Sequence, residues 1–300
     1  MLVLCVASAY NVFGINVAAD RVAARNVAAK RLRDRGFCVI DEPLLDRACI
    51  NQLASASGQR LSQLLDEVES TGYDPIEQSY HFAEVSHRQR QRWDMRPPPC
   101  EHWQLLCDRA LQAATPIIRD ALAMPDESPT LVMSGVVVSR PGCTAQGFHA
   151  DATESHQQQA ATSPHHRLYT AFVPLVDVRA DGTQFWVGSH HGDVQAHARR
   201  STTRDGRLRV PAESAPLEAP ACRAGGMILF DYRVLHRGLP NAGRERPIAY
   251  CVCATGGAND NANFPQTSLA DGTAHHYVDH TPFWEDAIDE PAGDAISDLA

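Results

Sequence analysis

Two histidines and one aspartate have the side chains and the spacing of a mononuclear metal site. His149 and Asp151 are separated by one residue, and they follow an apolar segment and the Pro-Gly turn at 141–142. In extended backbone, residues i and i+2 project to the same side, so both side chains can reach one ion. His236 follows another apolar segment, 227–230. The three residues together predict a metal centre.

The donor set indicates which chemistry such a centre could perform. Two imidazoles and one carboxylate on one face of an octahedral metal leave three positions open, which is the facial triad of non-haem Fe(II) oxygenases. Arg246 lies ten residues after His236, at the mouth of the predicted strand 247–254, where its guanidinium could hold a carboxylate through two N–H groups. Arg244 is a nearby competitor for that role.

A second His-x-Asp pair, His191 and Asp193, requires a choice between the two motifs. A single pair of this kind is a weak signal, because about one is expected by chance at this composition. His191 lies in a Gly-Ser-His-His-Gly turn, and only 45 residues separate it from His236. A barrel needs several strands between its first and last ligands, so His149 and Asp151 are the predicted ligands.

The elements that must position these residues change in character after Pro129. Several short segments rich in β-branched or aromatic residues follow one another, punctuated by Gly and Pro: 131–140, 168–178, 184–187, 227–231 and 247–254. No helical pattern of about 12 residues separates them, which favours an antiparallel sandwich or barrel over parallel βαβ units. The sequence predicts a mainly β jelly-roll core.

The first 125 residues read mostly as helix. An Ala- and Arg-rich helix is predicted over 17–35 and ends at Gly36, and a short strand follows at 37–40. Further helical patterns cover 44–56, 59–70 and 101–123, the last with Pro116 as a kink or restart.

Residues 88–96 form an unusual cluster, with four arginines around one tryptophan. We expect a helix face exposed to solvent. The functional alternative is a lid over the mouth of the barrel, with Arg92 or Trp93 touching the substrate.

Composition excludes several classes of protein. Hydrophobic residues make up 44% of the chain and charged residues 21%, which excludes wholesale disorder and a polytopic membrane protein. The net charge of −9 provides no basic field for nucleic acid or an anionic membrane. Nine cysteines without a Cys-x-x-Cys pair indicate reduced thiols. The first 19 residues lack Lys and Arg, so a cytoplasmic protein is expected, with organelle targeting as the alternative.

The chain resembles the phytanoyl-CoA dioxygenase family of Fe(II)- and 2-oxoglutarate-dependent oxygenases. The resemblance rests on motifs in the right order at compatible spacing: His149-x-Asp151, the segment DGTQFWVGSH at 181–190, His236, Arg246 and, more faintly, GFCVI at 36–40. Two departures are Phe148, where many members have Trp, and Val187, where the turn usually has Pro.

This resemblance implies a double-stranded β-helix with iron held by His149, Asp151 and His236. The distal carboxylate of 2-oxoglutarate would lie on Arg246, and Gln146 also fits the cosubstrate site. With O2, such an enzyme would hydroxylate a small organic or acyl-type substrate and release succinate and CO2. Asp151 argues against the related halogenases, which have a small residue in place of this carboxylate.

The predicted organisation is therefore a catalytic double-stranded β-helix with additional segments on both sides. The segments are an N-terminal extension (1–35), a mostly helical support and lid region (36–128), the core (129–257) and a C-terminal extension with an acidic tail (258–300). Two alternatives belong to other classes: a metal-binding cupin-like module without oxygenase activity, and a zinc hydrolase with a metal-bound water. The sequence identifies neither the substrate nor the oligomeric state.

Overall fold

The computed structural model describes residues 17–191, 216–259 and 267–271. Within these residues the helices are α1 (Val17–Arg35), α2 (Arg47–Ser70), α3 (His102–Leu122) and α4 (Glu154–Thr162), with a 3₁₀ turn at Leu269–Asp271. The strands are β1 (Phe37–Ile40), β2 (Val85–Gln89), β3 (Arg92–Met95), β4 (Thr130–Ser139), β5 (Arg167–Pro174), β6 (Thr183–Trp186), β7 (Leu217–Glu218), β8 (Met227–Asp231), β9 (His236–Gly238) and β10 (Arg246–Thr255).

Two antiparallel sheets form the jelly roll. The larger sheet has the order β1-β8-β5-β10-β4-β3-β2, and the smaller one has the order β7-β6-β9. From β1 to β4 in the larger sheet, each strand neighbours one that is distant in the sequence, as in a double-stranded β-helix, whereas β4, β3 and β2 are consecutive. The predicted fold class, a jelly-roll core with an N-terminal helical layer, is confirmed.

The central strand β10 shows how the sheet separates the core from the cavity. Its side chains alternate between two faces, as extended backbone requires. One set lines the cavity between the sheets: Arg246, Ile248, Tyr250 and Val252. The other set packs into the hydrophobic core beneath the helices: Ala249, Cys251 and Cys253. Both faces are buried, which explains the nearly continuous apolar sequence of this strand.

The helical layer covers the outer face of the larger sheet. Helix α1 ends at Gly36, whose φ of +85° is the left-handed conformation that favours glycine after a helix. The two helices predicted at 44–56 and 59–70 are instead the single helix α2. Gly58 lies inside it, where a Cβ would be 2.7 Å from the Glu245 Oε1 atom at the end of a flexible side chain. Pro116 also lies within a continuous helix, α3.

The prediction of a helix face for residues 88–96 is wrong. These residues form the hairpin β2–β3, which extends the larger sheet by pairing with β4. The chain turns at Gln91, whose φ is +62°. Because side chains alternate along β3, Arg92 faces the cavity and Trp93 faces the helical core. Trp93 is fully buried, and its Nε1 donates to the Pro75 carbonyl at 3.1 Å. This position does not fit the predicted lid.

The buried position of Trp93 predicts an effect on stability. Trp93→Phe should lower the free energy of unfolding by about 1–2 kcal/mol, because it removes ring volume and the bond to the Pro75 carbonyl. Urea unfolding measures this change, and Arg90→Gln on the same hairpin is the exposed control, with an expected change within about 0.5 kcal/mol. An unchanged midpoint combined with a raised substrate KM would restore the lid interpretation.

Other sequence predictions have mixed outcomes. The eight cysteines within the described residues are free thiols, six of them buried, as predicted. Helix α4 was not predicted. Among the described helices, none has the length and apolar content needed to cross a bilayer. Asp193, most of the predicted insertion at 192–222 and the acidic tail lie outside the described residues.

Candidate metal centre and cavity

The three predicted metal ligands converge in the cavity between the two sheets. One ligand atom from each of His149, Asp151 and His236 lies within 4.8 Å of the others. The Nε2 atom of His236 is 3.6 Å from the Oδ1 atom of Asp151, and the two imidazole centroids are 4.6 Å apart. In the part of the chain that the structure describes, this is the one group of three or more potential ligands.

Backbone pairing between distant segments holds the two histidines together. The His149 amide donates to the His236 carbonyl at 3.0 Å, and the His236 amide donates to the His149 carbonyl at 2.8 Å. His236 begins β9 in the smaller sheet. Asp151 lies two residues beyond His149, and the Thr170 hydroxyl of β5 donates to its Oδ2 atom at 3.4 Å. The three ligands are therefore held in place by the segment 149–151, β9 and β5 together.

Both imidazoles have the tautomer that a metal ligand needs. The Nδ1 of His149 donates to the Gly147 carbonyl at 3.0 Å, and the Nδ1 of His236 donates to the Val234 carbonyl at 3.1 Å. These bonds leave the lone pair on Nε2. Burial lowers the pKa of His149 to about 4, an effect to which the neighbouring His236 adds. Burial also lowers the pKa of His236 to about 4, so both rings are neutral near pH 7.

These residues fit a divalent iron ion. Burial raises the pKa of Asp151, and a cation bound between the carboxylate and the imidazoles would relieve the cost of keeping this charge out of water. Aromatic rings surround His236, with centroids 4.9, 5.9 and 6.3 Å from its own: those of Phe230, Phe185 and Phe172. The two nitrogen donors and one oxygen donor match a facial triad and leave room for further ligands.

Arg246 lines the same cavity and is 6% exposed. Its Nη2 donates to the Leu239 carbonyl at 3.1 Å, and its Nη1 donates to the Asp181 carbonyl. Arg244 is exposed and lies outside this cavity, so the geometry favours Arg246 as the carboxylate-binding residue. The predicted cosubstrate residue Gln146 also lines the cavity, and its Oε1 accepts from the Gly238 amide at 3.1 Å.

Sequence reasoning missed a cluster of three polar side chains in the cavity wall. We call Arg88, Asp94 and Tyr250 the polar cluster. Arg88 Nη2 lies 2.8 Å from one Asp94 oxygen, and the Tyr250 hydroxyl donates to the other at 2.9 Å. Gly135 makes this possible: it pairs with Tyr250 across the sheet, and a Cβ there would lie 2.3 Å from the Tyr250 hydroxyl.

One member of the polar cluster could have been found from the sequence. Counting in steps of two from Arg246 along the apolar strand reaches Tyr250, which must share the face of Arg246. The other two members belong to the hairpin β2–β3, whose strands the sequence did not predict.

Comparison with known proteins identifies the family of the sequence. A family model described as Phytanoyl-CoA dioxygenase (PhyH) matches residues 32–247, well over half of the chain. No curated protein sequence matches significantly.

Solved structures resemble this chain at low sequence identity. The α-ketoglutarate-dependent non-haem epimerase SnoN from nogalamycin biosynthesis is 19% identical, with 78% of this chain and 82% of that chain covered and a TM-score of 0.50. AviO1 from Streptomyces viridochromogenes Tue57 is 18% identical over 79% of this chain and 97% of that chain, with a TM-score of 0.46. EvdO2 from Micromonospora carbonacea var. aurantiaca, solved with 2-oxoglutarate, is 15% identical over 78% of this chain and 92% of that chain. Its TM-score is also 0.46.

Proposed function

The chain belongs to the phytanoyl-CoA dioxygenase family of Fe(II)- and 2-oxoglutarate-dependent oxygenases, and we propose that His149, Asp151 and His236 are its iron ligands. We further propose that Arg246 binds the distal carboxylate of 2-oxoglutarate and that the enzyme hydroxylates a small organic molecule. The observation that carries this proposal is the presence of the triad and a buried arginine in one cavity.

The bound cofactors supply the oxidising chemistry: O2 is reduced, 2-oxoglutarate loses CO2 to become succinate, and the substrate is oxidised. The chain's own residues prepare the site for it. The carbonyls of Gly147 and Val234 orient the two imidazoles, and Thr170 orients the Asp151 carboxylate. Three phenylalanine rings pack around the His236 imidazole and shield that side of the site from water: Phe172, Phe185 and Phe230.

Arg246, the first residue of β10, supplies a cation on the face of that strand that lines the cavity. A guanidinium can offer two parallel N–H groups to a planar carboxylate, and such charge-assisted bonds are strongest where water is excluded. The alternative of a cupin-like module without oxygenase activity gives no role to this buried arginine, and metal content separates the zinc hydrolase from the proposed oxygenase.

Metal and turnover measurements test the proposed function. The protein is purified with and without air, its metal content is determined, and succinate is measured after addition of Fe(II), 2-oxoglutarate and O2. We expect Fe(II) binding and succinate formation that a true substrate stimulates. Zinc retention together with no 2-oxoglutarate binding would contradict the proposal.

We propose that the substrate contacts the polar cluster. Arg88 and Asp94 line the same cavity as Asp151, so both border the space beside the metal site. The two charges pair with each other, so the wall they form is polar without a net charge. A substrate with a hydrogen-bonding oxygen near the oxidised carbon fits this wall, and Met133 and Val252 provide an apolar surface beside it.

Removing one hydroxyl tests the role of the polar cluster. Tyr250→Phe deprives Asp94 of a hydrogen bond in the cavity, so the KM for a succinate-stimulating substrate should rise about tenfold. The Kd for 2-oxoglutarate should stay within about twofold of wild type. Tyr80→Phe is the matched control, because that hydroxyl bonds the Pro75 carbonyl outside the cavity. A large loss of 2-oxoglutarate affinity in Tyr250→Phe would instead assign the cluster to the cosubstrate.

A further inference from the structure

Two buried arginines lie side by side in the cavity. On neighbouring strands Arg92 pairs with Ser139, and Ser139 pairs with Arg246, so all three side chains share one face of the sheet. Arg92 is 1% exposed. Burial lowers the pKa of Arg92, and repulsion from Arg246 contributes to this shift. Two cations placed this close in a dry site need groups that hold them in position.

The guanidinium of Arg92 is surrounded by backbone carbonyls. Its Nη2 donates to the Leu239 carbonyl at 2.7 Å and lies 3.3 Å from the Thr144 carbonyl. Its Nη1 lies 3.3 Å from the Gly238 carbonyl and 3.2 Å from the Gln89 Oε1 atom. These bonds surround the positive guanidinium with the negative ends of fixed dipoles on several sides.

The carbonyls belong to the two segments that carry the metal ligands. Residues 143–149 lead to His149 and residues 236–241 begin with His236, and the two segments run antiparallel through isolated bridges. Between those bridges, the Gln146 amide donates to the Gly238 carbonyl at 2.9 Å. Arg92 therefore ties the hairpin β2–β3 to both ligand-bearing segments.

Leu239 connects the two arginines. Its carbonyl accepts from Arg92 at 2.7 Å and from Arg246 at 3.1 Å. Gly238 allows this approach, because a Cβ at that position would lie 2.8 Å from the Cζ of Arg92. Any shift of Arg92 moves the carbonyl that orients one end of the Arg246 guanidinium.

We propose that Arg92 is a positioning residue for the cosubstrate: it fixes the Leu239 carbonyl and thereby the orientation in which Arg246 meets the carboxylate of 2-oxoglutarate. This inference rests on the proposed function of Arg246. In this role Arg92 does not bind 2-oxoglutarate itself, because its two terminal nitrogens are already bonded to the surrounding carbonyls.

Binding measurements with two kinds of variant test this role. Arg92→Met removes the bonds to the carbonyls. Gly238→Ala displaces the Arg92 guanidinium while leaving its charge, and it also displaces the Gln146 side chain. Both variants should raise the Kd for 2-oxoglutarate about ten- to a hundredfold, the range found when groups that orient a ligand-binding residue are removed. Arg92→Lys should recover part of the loss. The Kd is measured by anaerobic titration of the Fe(II) protein, followed through its visible charge-transfer band.

Two further readouts and a matched control distinguish a positioning residue from a purely structural residue and from a direct ligand. Fe(II) affinity should stay within about threefold of wild type, and the kcat at saturating 2-oxoglutarate should change less than its KM. Arg90→Met on the same hairpin is the matched control, because Arg90 is exposed and pairs with Glu77. Its Kd for 2-oxoglutarate should match that of the wild type.

Several outcomes would overturn the inference. A lower melting temperature with an unchanged Kd for 2-oxoglutarate in Arg92→Lys and Gly238→Ala would make Arg92 purely structural. A loss in Arg92→Lys as large as that in Arg246→Ala would make Arg92 a direct ligand. Failure of the wild type to bind 2-oxoglutarate would instead refute the proposed function, and Arg246→Ala serves to distinguish these cases.

Discussion

Asp151→Ala is expected to lower the affinity for Fe(II) more than a hundredfold. Residues that only orient a metal ligand typically cost about 10- to 100-fold when they are removed, so loss of a direct ligand should exceed this range. Asp151 is also the one anionic group of the triad. Without it, two neutral imidazoles would hold a dication with no neutralising charge among the ligands.

Anaerobic equilibrium dialysis with Fe(II), followed by metal analysis, measures this loss. His236→Ala should behave similarly, because its Nε2 lies only 3.6 Å from the Asp151 carboxylate. His191→Ala is the control, since His191 belongs to the His-x-Asp pair that we did not assign to the metal. If His191→Ala loses as much iron as Asp151→Ala, the assignment of the ligands is wrong.

The triad could be predicted because residue types and short-range spacing identify its members. The spacing of His149 and Asp151 places both side chains on one side of an extended segment, and His236 follows an apolar strand. The pairing of the His149 and His236 backbones is not local, and only the jelly-roll topology brings them together. The succession of short strands predicts that topology in outline, and the resemblance to a known family supports it, but neither gives the register of the pairing.

The hairpin β2–β3 shows where local reasoning failed. Arg and Gln are good helix formers, so a segment rich in both suggests a helix. The residues nevertheless alternate between the cavity and the core, and β4 supplies the hydrogen-bonding partner for β3. Pairing with a strand about 45 residues away cannot be derived from the propensity of either segment. Here these tertiary contacts override the local preference for a helix.

The polar cluster depends on a glycine in β4 that lets Tyr250 pass. Tyr250 reaches Asp94 by crossing β4 at Gly135, the position where a side chain would block it. A glycine within a strand indicates a close approach, but it does not identify the partner. The cross-strand register, which is not encoded locally, supplies that partner.

Arg246→Ala is expected to weaken 2-oxoglutarate binding by two to three and a half decades. Removing one partner of a buried charged pair costs about 3–5 kcal/mol, because the remaining charge stays buried without its counterion. Arg246→Lys keeps the charge and loses the two parallel N–H groups, so its loss should be smaller. Fe(II) binding should persist in both variants, because the triad is unchanged. Anaerobic titration of the Fe(II) protein with 2-oxoglutarate measures the affinities.

Arg244→Ala is the matched control for this titration. Arg244 is two residues away and carries the same charge, yet it is exposed and outside the main cavity, so its removal should change the Kd by less than about threefold. A surface cation is screened by solvent, whereas Arg246 acts in a cavity that screens it little. A large loss in Arg244→Ala with none in Arg246→Ala would transfer the carboxylate site to Arg244. That result would also remove the basis for Arg92 as a positioning residue, because the Leu239 carbonyl joins Arg92 to Arg246.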